Sequence, residues 1–109
     1  NGASNLVLEA VAFWQIGLRQ PALNASRAAM HALENGAASA VTFPQRDYLD
    51  CARLFTGAGL NAEAAQAMHS AHRQMTILAE RISNPELRAA YLQNHPFNVE
   101  ITASDLGTG

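Results

Sequence analysis

The sequence predicts an all-α fold for this 109-residue chain, and three observations support that prediction. Alanine, the strongest helix former, makes up roughly a fifth of the residues. Apolar residues recur at three- and four-residue steps, which is the spacing of an amphipathic helix. Gly, Pro and Asn residues separate these segments and mark turns. With 49% hydrophobic and 15% charged residues, the chain has the composition of one small globular domain.

The first two helices are expected at about Asn5–Leu18 and Pro21–Glu34. The first is apolar almost all round, so it is expected to be covered on more than one face. Pro21 suits a first helical turn, where its missing N–H costs no hydrogen bond. Asn35-Gly36 is typical of a helix end, because both residues tolerate positive φ. These two helices form the first predicted hairpin, residues 5–35.

The next two helices form the second predicted hairpin, residues 43–82. Thr42-x-x-Gln45 is a candidate capping box that opens a helix at about Pro44–Thr56. Glycines at the following turn end that helix. Asn61 is expected to cap the fourth helix, which keeps a helical apolar stripe to about residue 82 and is the longest of the chain.

A fifth helix, residues 84–94, is predicted to cap the C-terminal end of the domain. A second capping box, Ser83-x-x-Glu86, opens it, and Leu87, Ala90 and Tyr91 are expected to face inward. The pattern at 97–101 fits either a helical turn or an extended tail. The domain is therefore expected to span residues 5–101, with flexible ends at 1–4 and 102–109.

Residues 48–71 carry a pattern that alternates bulky and small side chains around a glycine turn. Large side chains act as knobs and alanines as holes, so two helices with this pattern can pack closely. A weaker copy lies 42 residues upstream, which indicates a repeat. The matched pairs are Tyr48 with Leu6, Ala52 with Ala10, Phe55 with Phe13, Gly59 with Gly17, Ala64 with Ala22, and Ala71 with Ala29; Cys51 and Met68 fall on Glu9 and Ser26 and do not match.

The 48–71 pattern resembles a tetratricopeptide repeat (TPR). That resemblance implies antiparallel helix hairpins stacked as a short, right-handed α-solenoid, with the fifth helix as its C-terminal cap. Residues 77–101 resemble the tail after the last repeat in large bacterial signal-transduction ATPases and transcriptional regulators. The resemblance implies a cytoplasmic module that senses partners or effectors while another domain carries the ATPase site.

Several functional classes have no support in the sequence. All seven basic residues are arginines scattered along a chain of net charge −2, so no nucleic-acid contact is expected. No apolar run approaches a membrane span, and no phosphate-binding loop or lysine is present. The single cysteine, Cys51, excludes an intramolecular disulfide and fits a reducing compartment. No cofactor is predicted.

No catalytic or metal site is predicted either. His69 and His72 stand at i, i+3 spacing, but no third ligand has a defined spacing from them. Cys51 takes the place of a core residue, and no motif joins it to a histidine. His31 on the second helix raises the alternative of a phosphotransfer domain, although the residues after it match that class poorly. The chain is therefore interpreted as a protein without enzymatic activity.

The preferred hypothesis is a protein-interaction or effector-sensing module that binds a protein or another domain of the same polypeptide. The groove lined by the first helix of each hairpin is the expected surface, with Trp14, Arg46, Asp50 and Arg53 as candidate partner-binding residues. A structural homodimer through the first helix, involving Leu6 and Trp14, is the alternative. A helical phosphotransfer or enzyme domain is less favoured.

Overall fold

The computed structural model describes residues 2–108, with side chains for residues 2–104, and is all-helical over that range. A short 3₁₀ turn, Ala37–Ala40, follows the second helix. The α-helices of the described range are α1 (Gly2–Gln15), α2 (Arg19–Glu34), α3 (Pro44–Gly57), α4 (Asn61–Glu80), α5 (Pro85–Asn94) and α6 (Pro96–Thr108). The all-α prediction is therefore confirmed.

Two helical hairpins, α1–α2 and α3–α4, form the body of the molecule, and their turns have the same structure 42 residues apart. A glycine with positive φ follows the first helix of each hairpin, with φ of 86° at Gly17 and 78° at Gly59. The next residue, a leucine, donates its N–H to the carbonyl of a phenylalanine five residues earlier, which satisfies an otherwise free helix-end carbonyl. These bonds join Leu18 to Phe13 and Leu60 to Phe55, both at 2.9 Å.

Helix α3 is the centre of the fold. It contacts α1, α2, α4 and α6, and it buries nine of its 14 residues. The four residues that the sequence places inward, Tyr48, Cys51, Ala52 and Phe55, are all 2% exposed or less. Because most of its circumference is covered, α3 fixes the position of every other helix that touches it.

The N-terminal boundary differs from its prediction. Helix α1 begins at Gly2 and ends at Gln15, whereas the sequence places a flexible segment at 1–4 and a helix end near Leu18. Ala3 lies in the core at 2% exposure, and the Ser4 hydroxyl donates to Asp47 at 2.9 Å, so the first turn is held against α3. The positive φ of Gly17 ends the helix early.

The C-terminal segment closes the core in a different way from the one predicted. The predicted helix 84–94 exists as α5, but it has no buried residue, and Leu87 is 63% exposed. Helix α6 packs on α3 and α4 instead, with Ile101 fully buried. Residues 102–108, expected to be flexible, continue this helix, and residue 109 lies outside the described range.

A buried polar network ties both α5 and α6 to α3. Gln45 and Asn98 are both fully buried. The Gln45 amide donates to the Tyr91 hydroxyl at 2.7 Å and to the Asn98 side-chain oxygen at 3.2 Å, and the Asn98 amide donates to the Tyr91 carbonyl at 3.1 Å. Buried polar side chains of this kind hold their helices in one arrangement, because breaking one bond leaves an unsatisfied group.

The predicted helix caps are wrong in detail. Gln45 does not return to Thr42, since its side chain is engaged in the buried network and Phe43 occupies the cap position of α3. Leu60, not Asn61, precedes α4. At α5 the cap is Asn84, whose side chain accepts from two backbone N–H groups at 2.9 and 3.0 Å, in place of Ser83.

Candidate functional site

Three of the four residues predicted to bind a partner lie around one cleft between α1 and α3. Trp14 enters from α1, and Asp50 and Arg53 enter from α3. The cleft has a volume of about 220 Å³. Val11, Gln15 and Leu54 complete its lining.

Both helices offer the same local spacing to this cleft. Val11, Trp14 and Gln15 stand at i, i+3 and i+4 on α1, and Asp50, Arg53 and Leu54 stand at i, i+3 and i+4 on α3. Residues at that spacing share one helical face. The cleft is therefore formed by two facing stripes on the first helices of the two hairpins.

The indole of Trp14 is held in place by two neighbours. Its Cζ2 atom lies 2.9 Å from the position that a Cβ atom on Gly57 would occupy, so only glycine leaves room for the ring there. The Arg19 guanidinium carbon lies 5.0 Å from the ring centroid, which is cation–π distance. Trp14 is partly buried and is the single tryptophan of the chain.

Arg53 is already paired within the molecule. Its guanidinium donates to both carboxylate oxygens of Glu100 on α6, with the Nε bond at 2.9 Å, and to Asp50 at 3.2 Å. The hydrogen bond from Arg53 lowers the pKa of Glu100. Arg53 therefore ties α3 to α6 and holds Asp50 at the edge of the cleft.

Asp50 is the acidic residue of the cleft lining, and Arg53 is the basic one. Burial raises the pKa of the Asp50 carboxyl group, an effect that the charge of Arg53 only partly offsets. The charges of Arg53 and Arg46 lower the pKa of Asp50, and the charge of Asp47 raises it. Burial disfavours the charged form of the Asp50 carboxyl group. A further cation placed beside it would favour that charged form.

The fourth predicted residue, Arg46, does not line the cleft. It lies one helical turn before Asp50 on α3, is exposed, and has its guanidinium carbon 5.8 Å from the centroid of the Phe43 ring. The structure therefore brings together Trp14, Asp50 and Arg53 but leaves Arg46 outside their cleft.

A second cleft, of about 440 Å³, lies between α3, α4 and α6 and includes the two histidines considered from the sequence. His69 is exposed and His72 is partly buried on α4, beside Met68. Among the residues that the structure describes, no group of three or more His, Cys, Asp or Glu side chains is arranged to hold a metal ion.

The other two candidates from the sequence are the buried Cys51 and the exposed His31. Cys51 is 1% exposed, and burial raises the pKa of its thiol to about 12, so the thiol stays protonated at neutral pH. A protonated, buried thiol is a poor nucleophile and packs as a small hydrophobe. His31 is exposed on α2 with its ring 3.4 Å from the Asn35 amide nitrogen.

Sequence reasoning missed four residues of this region: Val11, Gln15, Leu54 and Glu100. Leu54 stands four residues after Asp50 and Val11 three before Trp14, so a helical-face argument from the predicted residues reaches both, and Gln15 stands four residues after Val11 on the same face. Glu100 is 47 residues from Arg53 and depends on the position of α6. No local pattern carries that information.

No described helix is both long enough and apolar enough to span a lipid bilayer. Comparisons with protein-family models, with curated proteins and with solved structures find no match to this chain.

Proposed function

We propose that this chain is a non-catalytic protein-interaction module of a multidomain bacterial regulatory protein in the cytoplasm. Its two hairpins act as a short, right-handed TPR-like stack, closed at the C-terminal end by α5 and α6. The partner is a protein, or another domain of the same polypeptide, that binds at the cleft between α1 and α3.

The convergence of Trp14, Asp50 and Arg53 on one cleft carries this proposal. The first helices of both hairpins line it, which is where a stack of helix hairpins offers its concave binding surface. A volume of about 220 Å³ lies below the range of pockets that enclose small-molecule ligands. It is suited to one or two anchoring side chains from a partner chain.

The lining indicates the chemistry of that anchor. Val11, Leu54 and the partly buried Trp14 ring offer apolar contact, while Asp50 offers a partly buried carboxylate whose pKa is raised by burial. A lysine or arginine matches both features, because its aliphatic stem packs on apolar surface while its cationic head reaches the carboxylate. The proposed ligand is therefore a peptide segment with a basic anchor residue next to an aliphatic one.

The single tryptophan makes the cleft directly observable. A library of short random peptides is first selected for binding to the folded chain. The recovered peptides are then titrated into the protein while Trp14 fluorescence is recorded. We expect selected peptides to carry Lys or Arg beside an aliphatic residue and to shift the Trp14 emission on binding. Selected peptides that bind without changing Trp14 emission would place their site elsewhere and overturn the proposal.

A pair of charge-removing variants tests the anchor. Asp50→Asn keeps the shape of the cleft and removes its charge, so we expect affinity for the selected peptides to fall by about tenfold or more. Glu34→Gln removes an exposed carboxylate from α2, outside the cleft, and is expected to change affinity by less than about twofold. If both variants lower the affinity for the peptides equally, Asp50 acts only through the overall charge of the protein and is not the anchor site.

A further inference from the structure

A separate cavity, the α2–α4 hollow, lies between α2 and α4 beside α3 and has a volume of about 430 Å³. Leu33, Glu34, Tyr48, Ser70 and Arg73 are among its lining residues. It shares no residue with the cleft between α1 and α3. Unlike that cleft, it has a volume within the range of small-molecule sites.

Two hydroxyl groups open into the α2–α4 hollow without a hydrogen-bond partner. Tyr48 of α3 and Ser70 of α4 are only 2% and 5% exposed. Neither hydroxyl forms a hydrogen bond with another described residue, and both keep access to the hollow, unlike the enclosed Ser26 hydroxyl. Because polar groups of buried residues are nearly always satisfied, these two hydroxyls indicate a ligand that supplies the missing bonds.

Opposite charges stand on the two walls of the α2–α4 hollow. Glu34 on α2 and Arg73 on α4 are both exposed, and neither forms an ion pair with a described residue. Burial raises the pKa of Tyr48; the charge of Glu34 adds to this effect and the charge of Arg73 opposes it. Both charges therefore act on the same hydroxyl group from opposite walls.

The α4 wall is suited to a carboxylate. Ser70 and Arg73 stand at i, i+3, so they share one face of the helix, and the Tyr48 hydroxyl reaches the same hollow from α3. A guanidinium matches a carboxylate in shape and charge, and hydroxyl groups donate further hydrogen bonds to it. On the α2 wall, the Glu34 carboxylate accepts hydrogen bonds from an ammonium group.

We propose that the α2–α4 hollow binds a small zwitterion, whose carboxylate contacts Arg73 and whose amine contacts Glu34. The hydroxyls of Tyr48 and Ser70 complete the carboxylate site. Since Glu34 and Arg73 do not pair with each other, the ligand has to span the gap between them, which favours an amine and a carboxylate separated by several carbon atoms. This site is independent of the proposed partner cleft.

A series of ω-amino acids tests the ligand class. Glycine, β-alanine, 4-aminobutyrate and 6-aminohexanoate carry the same two charges at increasing separation and are titrated into the folded chain while ¹H–¹⁵N NMR spectra are recorded. We expect the longer members to bind best, with a dissociation constant on the order of 1 mM, because so few atoms make contact. Butyrate and butylamine carry one charge each and are expected to bind about tenfold more weakly or worse.

The same spectra locate the site. The backbone N–H signals of Ser70 and Arg73 are expected to shift, whereas the indole N–H signal of Trp14, in the partner cleft, should stay in place. Failure of this site therefore leaves the test of the partner cleft unaffected.

Charge-removing variants test the two walls. Arg73→Gln and Glu34→Gln are each expected to lower the affinity for the best zwitterion by about tenfold. Arg81→Gln and Glu80→Gln remove exposed charges outside the hollow and are expected to change it by less than about twofold.

Removing the hydroxyls separates a binding role from a structural one. Tyr48→Phe and Ser70→Ala delete groups that bond no described residue, so the urea midpoint is expected to stay or rise while affinity falls by about tenfold. Lower midpoints with unchanged affinity would make the hydroxyls structural and overturn the proposal. The absence of any shift up to about 50 mM zwitterion, or butyrate binding as tightly as the best zwitterion, would also overturn it.

Discussion

At the scale of single residues, two buried polar atoms within the described residues have no hydrogen-bond partner: the hydroxyl of Ser26 and the side-chain oxygen of Gln45. Gln45 is compensated through its amide, which donates to Tyr91 and Asn98. The Ser26 hydroxyl has no such compensation although the residue is fully buried. Ser26 occupies the repeat position where the second hairpin has Met68, so the first hairpin carries a small, polar residue at a core site.

We predict that Ser26→Ala raises the free energy of unfolding by about 1 kcal/mol. An unsatisfied buried hydroxyl costs roughly 1–3 kcal/mol, and alanine keeps the volume small while adding helix propensity. Urea unfolding followed by circular dichroism measures the change. Ala29→Ser, at an equally buried position of the same helix, is the matched control and is expected to lower stability. A destabilised Ser26→Ala variant would mean that the hydroxyl bonds a buried water.

At the scale of helices, the local signals in the sequence predict the positions of the elements better than their packing. Gly17 and Gly59 end their helices because each adopts positive φ, and the 42-residue spacing reveals both turns. The packing of α6 depends on Ile101 and on contacts that reach back about fifty residues, such as Asn98 with Gln45. Contacts of this kind between distant residues leave no periodic pattern in the sequence, so the sequence predicts a cap at 84–94 and does not decide between a helical turn and an extended tail at 97–101.

The contact between α1 and the C-terminal end of α3 depends on Gly57. We predict that Gly57→Ala lowers the free energy of unfolding by about 1 kcal/mol. A Cβ atom at residue 57 would lie 2.9 Å from Trp14 Cζ2, so the rigid indole must move. Overpacking of this type typically costs 1–3 kcal/mol, while alanine returns less than about 1 kcal/mol in helix propensity. Chemical unfolding gives the stability, and a shift in Trp14 emission reports the displaced ring.

A double-mutant cycle gives the control for this contact. In a Trp14→Ala background the clash is absent, so Gly57→Ala is expected to raise stability by about 0.5 kcal/mol through helix propensity alone. The substitution should therefore change sign between the two backgrounds. The same effect in both backgrounds would show that Trp14 and Gly57 are not in contact in solution.

At the scale of the whole molecule, the core is continuous across both hairpins and the C-terminal helices. Three groups of buried residues are linked by shared, partly buried side chains: Met30 and Met68 contact two of the groups, and Leu23 joins the third. Helix α3 contributes to all three groups. A core connected in this way favours a single cooperative unfolding transition over separate unfolding of each hairpin.

Ile101→Ala tests this cooperativity, because it removes a fully buried side chain of α6 that belongs to a different core group from the neighbours of Trp14. Truncating a buried isoleucine costs about 2–4 kcal/mol. If the molecule unfolds as one unit, the urea transitions followed by Trp14 fluorescence and by circular dichroism shift together by the same amount. Leu87→Ala, at a 63% exposed position of α5, is the control and should shift neither. A Trp14 transition that stays in place while the circular dichroism transition moves would mean that the first hairpin unfolds independently of α6.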